Sequence, residues 1–228
     1  MDSIEQLKKD LISASRILSH QKLVEGFGHV SARIPNSDRF IITPRISLAL
    51  VQESELLTMN LNGEVVEGKH AAPIEASLHA AIMKTKPTVN AITRIHARVA
   101  NIFSVTERKL EPVHSHGSFF ACGVPVYAKP DLIVTAALGA EVAQILDDKP
   151  GLLLRGNGQV TVGRTIPEAV MMAIYLEEAA QILFGALQIG TPIPLTMVES
   201  KQRQVEALTP ADMERAWNYF KMAAKKDN

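Results

Sequence analysis

The chain has 228 residues, of which 46% are hydrophobic and 21% are charged. This composition is typical of a globular protein and favours one domain over residues 1–228 that ends in a C-terminal helix. Twenty-four Lys and Arg residues balance 24 Asp and Glu residues, which excludes a basic surface for nucleic acid. The sequence contains no apolar run long enough to predict a membrane span, and the charged first segment is unlike a signal peptide. The single cysteine, Cys122, fits a reducing cytoplasm and is expected to be a buried thiol.

Hydrophobic periodicity predicts two helices and four strands in the first part of the chain. In chain order these are a helix over 4–20, strands over 25–34 and 38–44, a hairpin over 56–68, and a helix from about 73 to 85. Asn62-Gly63 supplies the left-handed turn of the hairpin.

The remainder mixes strands and helices in no regular alternation. The predicted elements are a strand that becomes a helix over 89–105, a strand over 124–128, a helix over 132–148, two strands over 151–163, a helix from Thr165 to about Leu187, and a last helix that begins at Thr209. Thr165 with Glu168 forms a capping-box pattern at a helix start. The irregular order indicates an α+β fold or a layered α/β/α sandwich.

Five sequence stretches carry the functional interpretation. They are "GHVSAR" (28–33), "PIEASLHAAI" (73–82), "RIHAR" (94–98), "RGNGQVTVG" (155–163) and "TIPEAVMMAIYLEEAAQI" (165–182). In this order they resemble the class II aldolase/adducin family over about residues 5–190. The resemblance implies an α/β fold, a three-layer α/β/α sandwich around a mostly antiparallel sheet. It also implies a homotetramer with its active sites between subunits.

The resemblance further implies a divalent metal held by three histidines, two from a His-x-His pair and one from an Asn-His-Gly turn. Alternate side chains of a strand share one face, so a His-x-His pair can chelate one ion. A glutamate at a helix start, matched here by Glu75, serves the family as ligand or proton carrier.

Two of the three histidine positions are substituted in this chain. The pair is Arg94-Ile95-His96, and the turn carries Asn157. Arginine cannot ligate a metal, and an amide oxygen suits hard cations better than zinc. His96 remains the expected ligand, and His114 and His116 are candidates to complete a zinc, manganese or iron site with His96 and Glu75. The alternative is that His114 and His116 simply belong to a surface loop.

The substrate-binding positions favour a carboxylate over a sugar phosphate. The small residues that cradle phosphate in the phospho-sugar aldolases are replaced by His29, by Arg45-Ile46 and by Pro73-Ile74, and proline has no N–H to donate. The sequence looks closer to the branch that contains decarboxylases of aromatic hydroxy-dicarboxylates. Arg45 and Arg94 are expected to hold carboxylates, Asn157 to contact substrate, and His29 to transfer a proton.

The resulting prediction is a cytoplasmic, metal-dependent carbon–carbon lyase of decarboxylase or aldolase type. Its substrate would be a small hydroxylated carboxylate, with no nucleic-acid or membrane partner. One alternative is a non-catalytic, adducin-like member that has lost its metal, and another is an iron-dependent oxidative decarboxylase. His79 is assigned to packing, and the apolar stripe of the helix over 165–187 is assigned to the core.

Overall fold

The computed structural model describes residues 4–226. Residues 1–3 and 227–228 of the predicted domain lie outside the described residues. Seven α-helices occur in the described residues, namely α1 (Ile4–His20), α2 (Ala76–Thr85), α3 (Arg98–Ser104), α4 (Ala136–Leu146), α5 (Ile166–Ile189), α6 (Met197–Ala207) and α7 (Pro210–Lys226). Eight strands accompany them, namely β1 (His29–Arg33), β2 (Arg39–Ile42), β3 (Leu57–Asn60), β4 (Val65–Glu67), β5 (Ala91–Ile95), β6 (Val126–Tyr127), β7 (Gly151–Leu154) and β8 (Gln159–Gly163).

The strands form one sheet in the order β4-β3-β2-β1-β5-β8-β7-β6. Neighbouring strands are antiparallel except for β6, which runs parallel to β7. The mostly antiparallel sheet is therefore confirmed.

Helices cover both faces of the sheet. On one face, α1, α3, α5 and α7 pack against inward residues such as Val30, Ala32 and Ile95. On the other face, α2 and α4 pack against residues such as Ile92 and Val160. Since successive strand residues point to opposite faces, each central strand contributes to both cores. The three-layer α/β/α sandwich expected from the sequence is confirmed.

Helix α5 is the central element of the first core. It is long and apolar enough to cross a membrane, but more than half of that apolar segment is buried inside the fold. Thr165 caps its first turn, with its hydroxyl accepting a hydrogen bond from the Glu168 N–H. The helix thus begins where the capping-box pattern predicts and packs as a core helix.

Three details differ from the sequence expectations. The first strand begins at His29, because residues 25–28 form a loop. Helix α6 has no counterpart among the predicted elements. Cys122 is exposed, so its expected burial is wrong: Phe120 fills the buried position of this segment, and the cysteine lies in the turn that precedes Gly123.

Candidate active site

The first two components of the site lie on neighbouring central strands. His29 begins β1 and is the direct cross-strand partner of Arg94 in β5. Val30 faces the α1/α5 core and Ile92 faces the α2/α4 core. By strand alternation His29 and Arg94 therefore both face the α2 side of the sheet.

Glu75 approaches the same place from the N-terminus of α2, where it is the N-cap residue. Its Oε2 lies 2.9 Å from Nη2 of Arg94, and its Oε1 accepts a hydrogen bond from the Ile133 N–H at 3.1 Å. The Glu75 and Arg94 side chains are only 7% and 1% exposed. Both carboxylate oxygens are engaged, one by Arg94 and one by the Ile133 N–H, and the role of Glu75 as a proton carrier stays a prediction.

Arg94 also connects Glu75 to His96. Its Nη1 lies 3.1 Å from Nε2 of His96 and donates a hydrogen bond to the Ile95 carbonyl at 3.1 Å. His96 is exposed as a residue, yet partial desolvation and the neighbouring guanidinium lower its pKa to about 4. Its ring is therefore neutral near pH 7, and Nε2 accepts from the guanidinium.

A chain of short hydrogen bonds leads from His29 into the core. Nδ1 of His29 lies 2.6 Å from Nε2 of His79, and Nδ1 of His79 lies 2.6 Å from the Ser31 hydroxyl. Burial lowers the pKa of His29 well below its usual value, and His79, Arg94 and His96 add to this effect. Burial, with a smaller contribution from Arg94, lowers the pKa of His79 to about 3. His79 is fully buried, in agreement with the packing role assigned to it, and it fixes the orientation of the His29 ring.

Asn157 is presented by the turn between β7 and β8. The N–H groups of Gly156 and Gly158 donate to Ser104 Oγ and Asn101 Oδ1 of α3, both at 2.9 Å. Gly158 has φ +86°, and a Cβ there would lie 2.2 Å from the Ile95 carbonyl oxygen. Only glycine allows the turn to approach the end of β5 this closely.

These groups line one cavity of about 390 Å³. Its polar and charged lining residues are His29, Arg45, Glu75, Arg94, His96 and Asn157. Arg45 is exposed at the edge of the cavity, and its side chain forms no ion pair among residues 4–226. Because Glu75 and Arg94 neutralise each other, Arg45 leaves the lining with a net positive charge.

The mouth of the cavity is apolar. Phe27, Ile74 and Leu132 line it and are 79%, 53% and 52% exposed. Large apolar side chains that stay exposed around a concave polar site are typical of ligand pockets. The cavity thus combines an apolar entrance with a buried ion pair at its base.

The two remaining predicted ligands are not in this cavity. His114 and His116 form a group with Glu178 whose ligand atoms all lie within 4.8 Å of one another. His116 and Glu178 line a different cavity, and His96 is not part of the group. The structure therefore does not assemble the expected set of His96, Glu75, His114 and His116.

Two acidic residues of α5, Glu177 and Glu178, have functional contacts that were not assigned from the sequence. Glu178 faces the histidine pair, whereas the buried Glu177 accepts hydrogen bonds from the N–H groups of Val99 and Ala100 at 3.0 and 2.7 Å. The stripe assigned to the core comprises Met172, Tyr175, Leu176, Ala179, Ile182 and Leu183, and of these only Ile182 is exposed. Two adjacent carboxylates inside an otherwise apolar helix are unusual, and that signal is visible in the sequence.

The chain belongs to the class II aldolase and adducin family. Residues 9–184 match the family model described as the Class II Aldolase and Adducin N-terminal domain. This match includes both strands, the turn and the helix start that build the cavity.

Relatives and solved structures agree with this assignment. The chain is 28% identical over 193 residues to the 3,4-dihydroxyphthalate decarboxylase of Arthrobacter keyseri, covering 78% of this chain and 77% of the relative. It is 30% identical over 175 residues to an L-fuculose phosphate aldolase of Methanococcus maripaludis, and the match covers 76% of this chain and 93% of that relative. The structure of L-fuculose 1-phosphate aldolase from Glaciozyma antarctica PI12 matches with a TM-score of 0.86 at 23% identity. The match covers 99% of this chain and 92% of that chain. The first two relatives are lyases by name, and the last comparison establishes the shared fold.

The residues in the cavity do not fit the divalent metal that the family resemblance implies. The guanidinium of Arg94 contacts both His96 and Glu75, the two groups best suited to ligate an ion. With Arg94 between them, neither group can bind an ion without giving up its contact with the guanidinium. Asn157 contributes only a neutral amide, which is a weak ligand for zinc.

Proposed function

We propose that this chain is a carbon–carbon lyase of decarboxylase type, in which N–H groups of Arg94 donate hydrogen bonds to the oxyanion that develops at the reacting centre. The observation that carries this proposal is the buried ion pair of Arg94 and Glu75 at the base of the cavity. An arginine fixed in this way is preorganised to stabilise a developing oxyanion without any reorganisation during the reaction.

The proposed substrate is a single-ring aromatic hydroxy-carboxylate. A cavity of about 390 Å³ is within the usual range for small-molecule sites. The exposed apolar side chains of Phe27, Ile74 and Leu132 suit the faces of a ring. The uncompensated charge of Arg45 suits a carboxylate, which a guanidinium binds through two parallel hydrogen bonds.

The proposed proton carrier is His29. Its lowered pKa keeps the ring neutral near pH 7, so it can accept the proton of the substrate hydroxyl. It then returns that proton to the ring carbon that bears the carboxylate. The carbon–carbon bond breaks, carbon dioxide leaves, and the bonding pair returns to the ring as a phenolate beside Arg94. The phenolate takes up one proton from solvent, so the reaction consumes one proton and releases one carbon dioxide.

Release of labelled carbon dioxide from hydroxybenzoates with one or two carboxylates tests this proposal, and 3,4-dihydroxyphthalate belongs in the panel. Protein stripped of metal with a chelator should remain active. Arg94→Ala should lose activity by at least about 100-fold, the usual effect of removing an oxyanion-stabilising donor, and added guanidinium ion should restore part of it. His70→Ala is the matched control, because His70 is exposed and lies outside the cavity.

A second candidate function is that of a non-catalytic binding domain, and the same ion pair favours it. Arg94 and Glu75 neutralise each other, as in a structural ion pair. Under this alternative, aromatic carboxylates would bind without releasing carbon dioxide, and Arg45→Ala would weaken their binding. Activity that appears only after metal is restored would instead support the metal-dependent lyase. The iron-dependent alternative has less support, because His96 is engaged by Arg94.

The homotetrameric state and cytoplasmic location also belong to this proposal. Light scattering of the purified protein measures the first, and fractionation of cells that express the chain measures the second. A monomer in solution would rule out active sites shared between subunits.

A further inference from the structure

A second cluster of ligating side chains lies away from the cavity of Arg94. His114 precedes the short 3-10 helix His116–Phe120, and His116 is its first residue. Both face Glu178 of α5: His116 Nδ1 lies 2.8 Å from Oε2, and His114 Nε2 lies 3.7 Å from Oε1. Segments more than 60 positions apart in the sequence therefore bring two imidazoles and one carboxylate together.

The packing holds both imidazoles in place. His116 stacks on the ring of Tyr175, with centroids 4.1 Å apart. A Cβ at Gly117 would lie 3.1 Å from Nδ1 of His114, so the absence of a side chain there lets His114 fold back onto the cluster. Ligands that are already oriented lose little conformational entropy when an ion binds.

His114 lacks any hydrogen-bond partner for its ring. Nδ1 and Nε2 are both buried, and neither forms a hydrogen bond within residues 4–226. A buried polar ring with no partner costs free energy unless a ligand satisfies it. Glu178 is too far from it for a hydrogen bond but close enough to share an ion with it.

The charges around the cluster also suit a cation. Arg215 lines the adjoining cavity, but it pairs with Asp212 at 3.2 Å. Burial lowers the pKa of His114, partly opposed by Glu178, and the hydrogen bond from His116 lowers the pKa of Glu178. An ionised carboxylate and a neutral imidazole are the forms in which these side chains bind metal ions.

We propose that His114, His116 and Glu178 form a binding site for one divalent first-row transition ion such as Zn²⁺. Ligand atoms about 2.0–2.2 Å from zinc lie about 3.4 Å apart in tetrahedral geometry. The three ligand atoms lie within 4.8 Å of one another, with 3.7 Å between His114 and Glu178 and 2.8 Å between His116 and Glu178, so an ion would require small side-chain adjustments. Imidazole nitrogens select zinc and its neighbours over Mg²⁺ and Ca²⁺. Three protein ligands leave a coordination position open toward the adjoining cavity of about 640 Å³. The site is independent of the proposed lyase reaction.

Titration of the chelator-treated full chain with Co²⁺ and Zn²⁺ tests the proposal. One Co²⁺ per chain should bind with the intense visible bands of a low-symmetry site, Zn²⁺ should displace it, and Mg²⁺ and Ca²⁺ should not. Glu178→Gln removes the anionic ligand with the smallest change in shape, and it should weaken binding by at least about 100-fold, since loss of mere outer-shell support already costs 10–100-fold. His114→Ala should do the same.

Two variants serve as controls. His96→Ala removes the histidine of the other cavity, and His70→Ala removes one that lies 3.8 Å from Glu55 on the surface. Both should bind Co²⁺ like the parent chain. Near-ultraviolet circular dichroism checks that each variant is folded, and if His114→Ala is not, Glu178→Gln decides. The proposal would be overturned by any of three results: no stoichiometric Co²⁺ binding by the parent chain, unchanged Co²⁺ affinity in Glu178→Gln, or loss of Co²⁺ binding in His96→Ala.

Discussion

The residue that most changes the interpretation of this family member is Arg94. Its side chain is 1% exposed and bridges Glu75 and His96. Burial lowers the pKa of the guanidinium, but the charge of Glu75 opposes the effect. The pair therefore depends on both members, because a buried charge without its counterion is expensive.

The first prediction concerns this pair. Arg94→Met should lower the free energy of unfolding by about 3–5 kcal/mol, because it leaves the Glu75 carboxylate buried and unpaired. Adding Glu75→Gln should restore part of that loss, so the two changes are non-additive. Urea unfolding of the parent, both single variants and the double variant measures the coupling. Strictly additive effects would show that the two side chains do not stabilise each other.

The second prediction concerns the turn that carries Asn157. Gly158→Ala should cost about 2–4 kcal/mol, because it combines a left-handed backbone with a clash against the Ile95 carbonyl. Gly63 has nearly the same φ, +87°, but open space around it. Gly63→Ala should therefore cost only about 1 kcal/mol. If thermal unfolding shows the same destabilisation for both variants, the contact of the turn with β5 does not contribute to stability.

Residue patterns identified most of this cavity but misjudged its contacts. His29, Glu75 and Arg94 were recognisable because each occupies a position with a family counterpart. That Arg94 contacts both Glu75 and His96 depends on rotamers and on the path of the loop at Ile133, which no local pattern encodes. The pairing of His114 and His116 with Glu178 depends on the contact between the 3-10 helix and α5, which is equally non-local.

At the scale of elements, α3 hydrogen-bonds to the turn that carries Asn157, and its own N-terminus is capped by a side chain of α5. The carboxylate of Glu177 in α5 accepts hydrogen bonds from the Val99 and Ala100 N–H groups in the first turn of α3. At its other end, Asn101 and Ser104 hold the turn between β7 and β8. This short helix thus connects α5 to the turn that carries Asn157 in the cavity.

The third prediction follows from that cap. Glu177→Gln should destabilise the chain by about 1–2 kcal/mol, because a charged acceptor at the positive end of a helix becomes neutral. Glu168→Gln is a suitable comparison, since its carboxylate also caps a backbone N–H but in an exposed setting, and it should cost less. Denaturant midpoints of the two variants give the difference. A smaller effect for Glu177→Gln than for Glu168→Gln would contradict the capping role.

The predicted elements were mostly correct because their signals are local. Capping residues and apolar periodicity place α1, α5 and α7 within a few residues of their observed limits. Helix α6 was missed although Thr196 and Glu199 form a capping box, because Met197, Val198 and Val205 stay exposed and give no periodic stripe. Strand β1 was predicted too long, because the alternation of Val30, Ala32 and Ile34 begins only after the loop of residues 25–28.

At the scale of the molecule, four histidines are held in environments that resist protonation. The pKa of His79 is lowered to about 3 and that of His96 to about 4, and those of His29 and His114 are also lowered, in each case chiefly by burial. In the unfolded chain histidine titrates near 6.5. As the pH falls below about 6.5, the unfolded state binds more protons than the folded state, so stability decreases.

The fourth prediction is a loss of stability between about pH 6.5 and 5, a range above the titration of ordinary carboxylates. Each suppressed histidine should contribute up to about 1.4 kcal/mol per pH unit. His79→Gln should reduce the slope of unfolding free energy against pH, whereas His70→Ala should leave it unchanged. Urea unfolding at several pH values measures the slopes. A flat profile in the parent chain would mean that these rings are protonated in the folded protein.

Glu177 and Glu178 are consecutive residues, and neighbours on an α-helix point about 100° apart. One turn of α5 therefore contacts two separate regions. Glu177 caps α3, and Glu178 contacts His114 and His116. A twist of that turn cannot move one without the other. A substitution that changes the path of this turn would therefore disturb the cap of α3 and the carboxylate of the proposed ion site together.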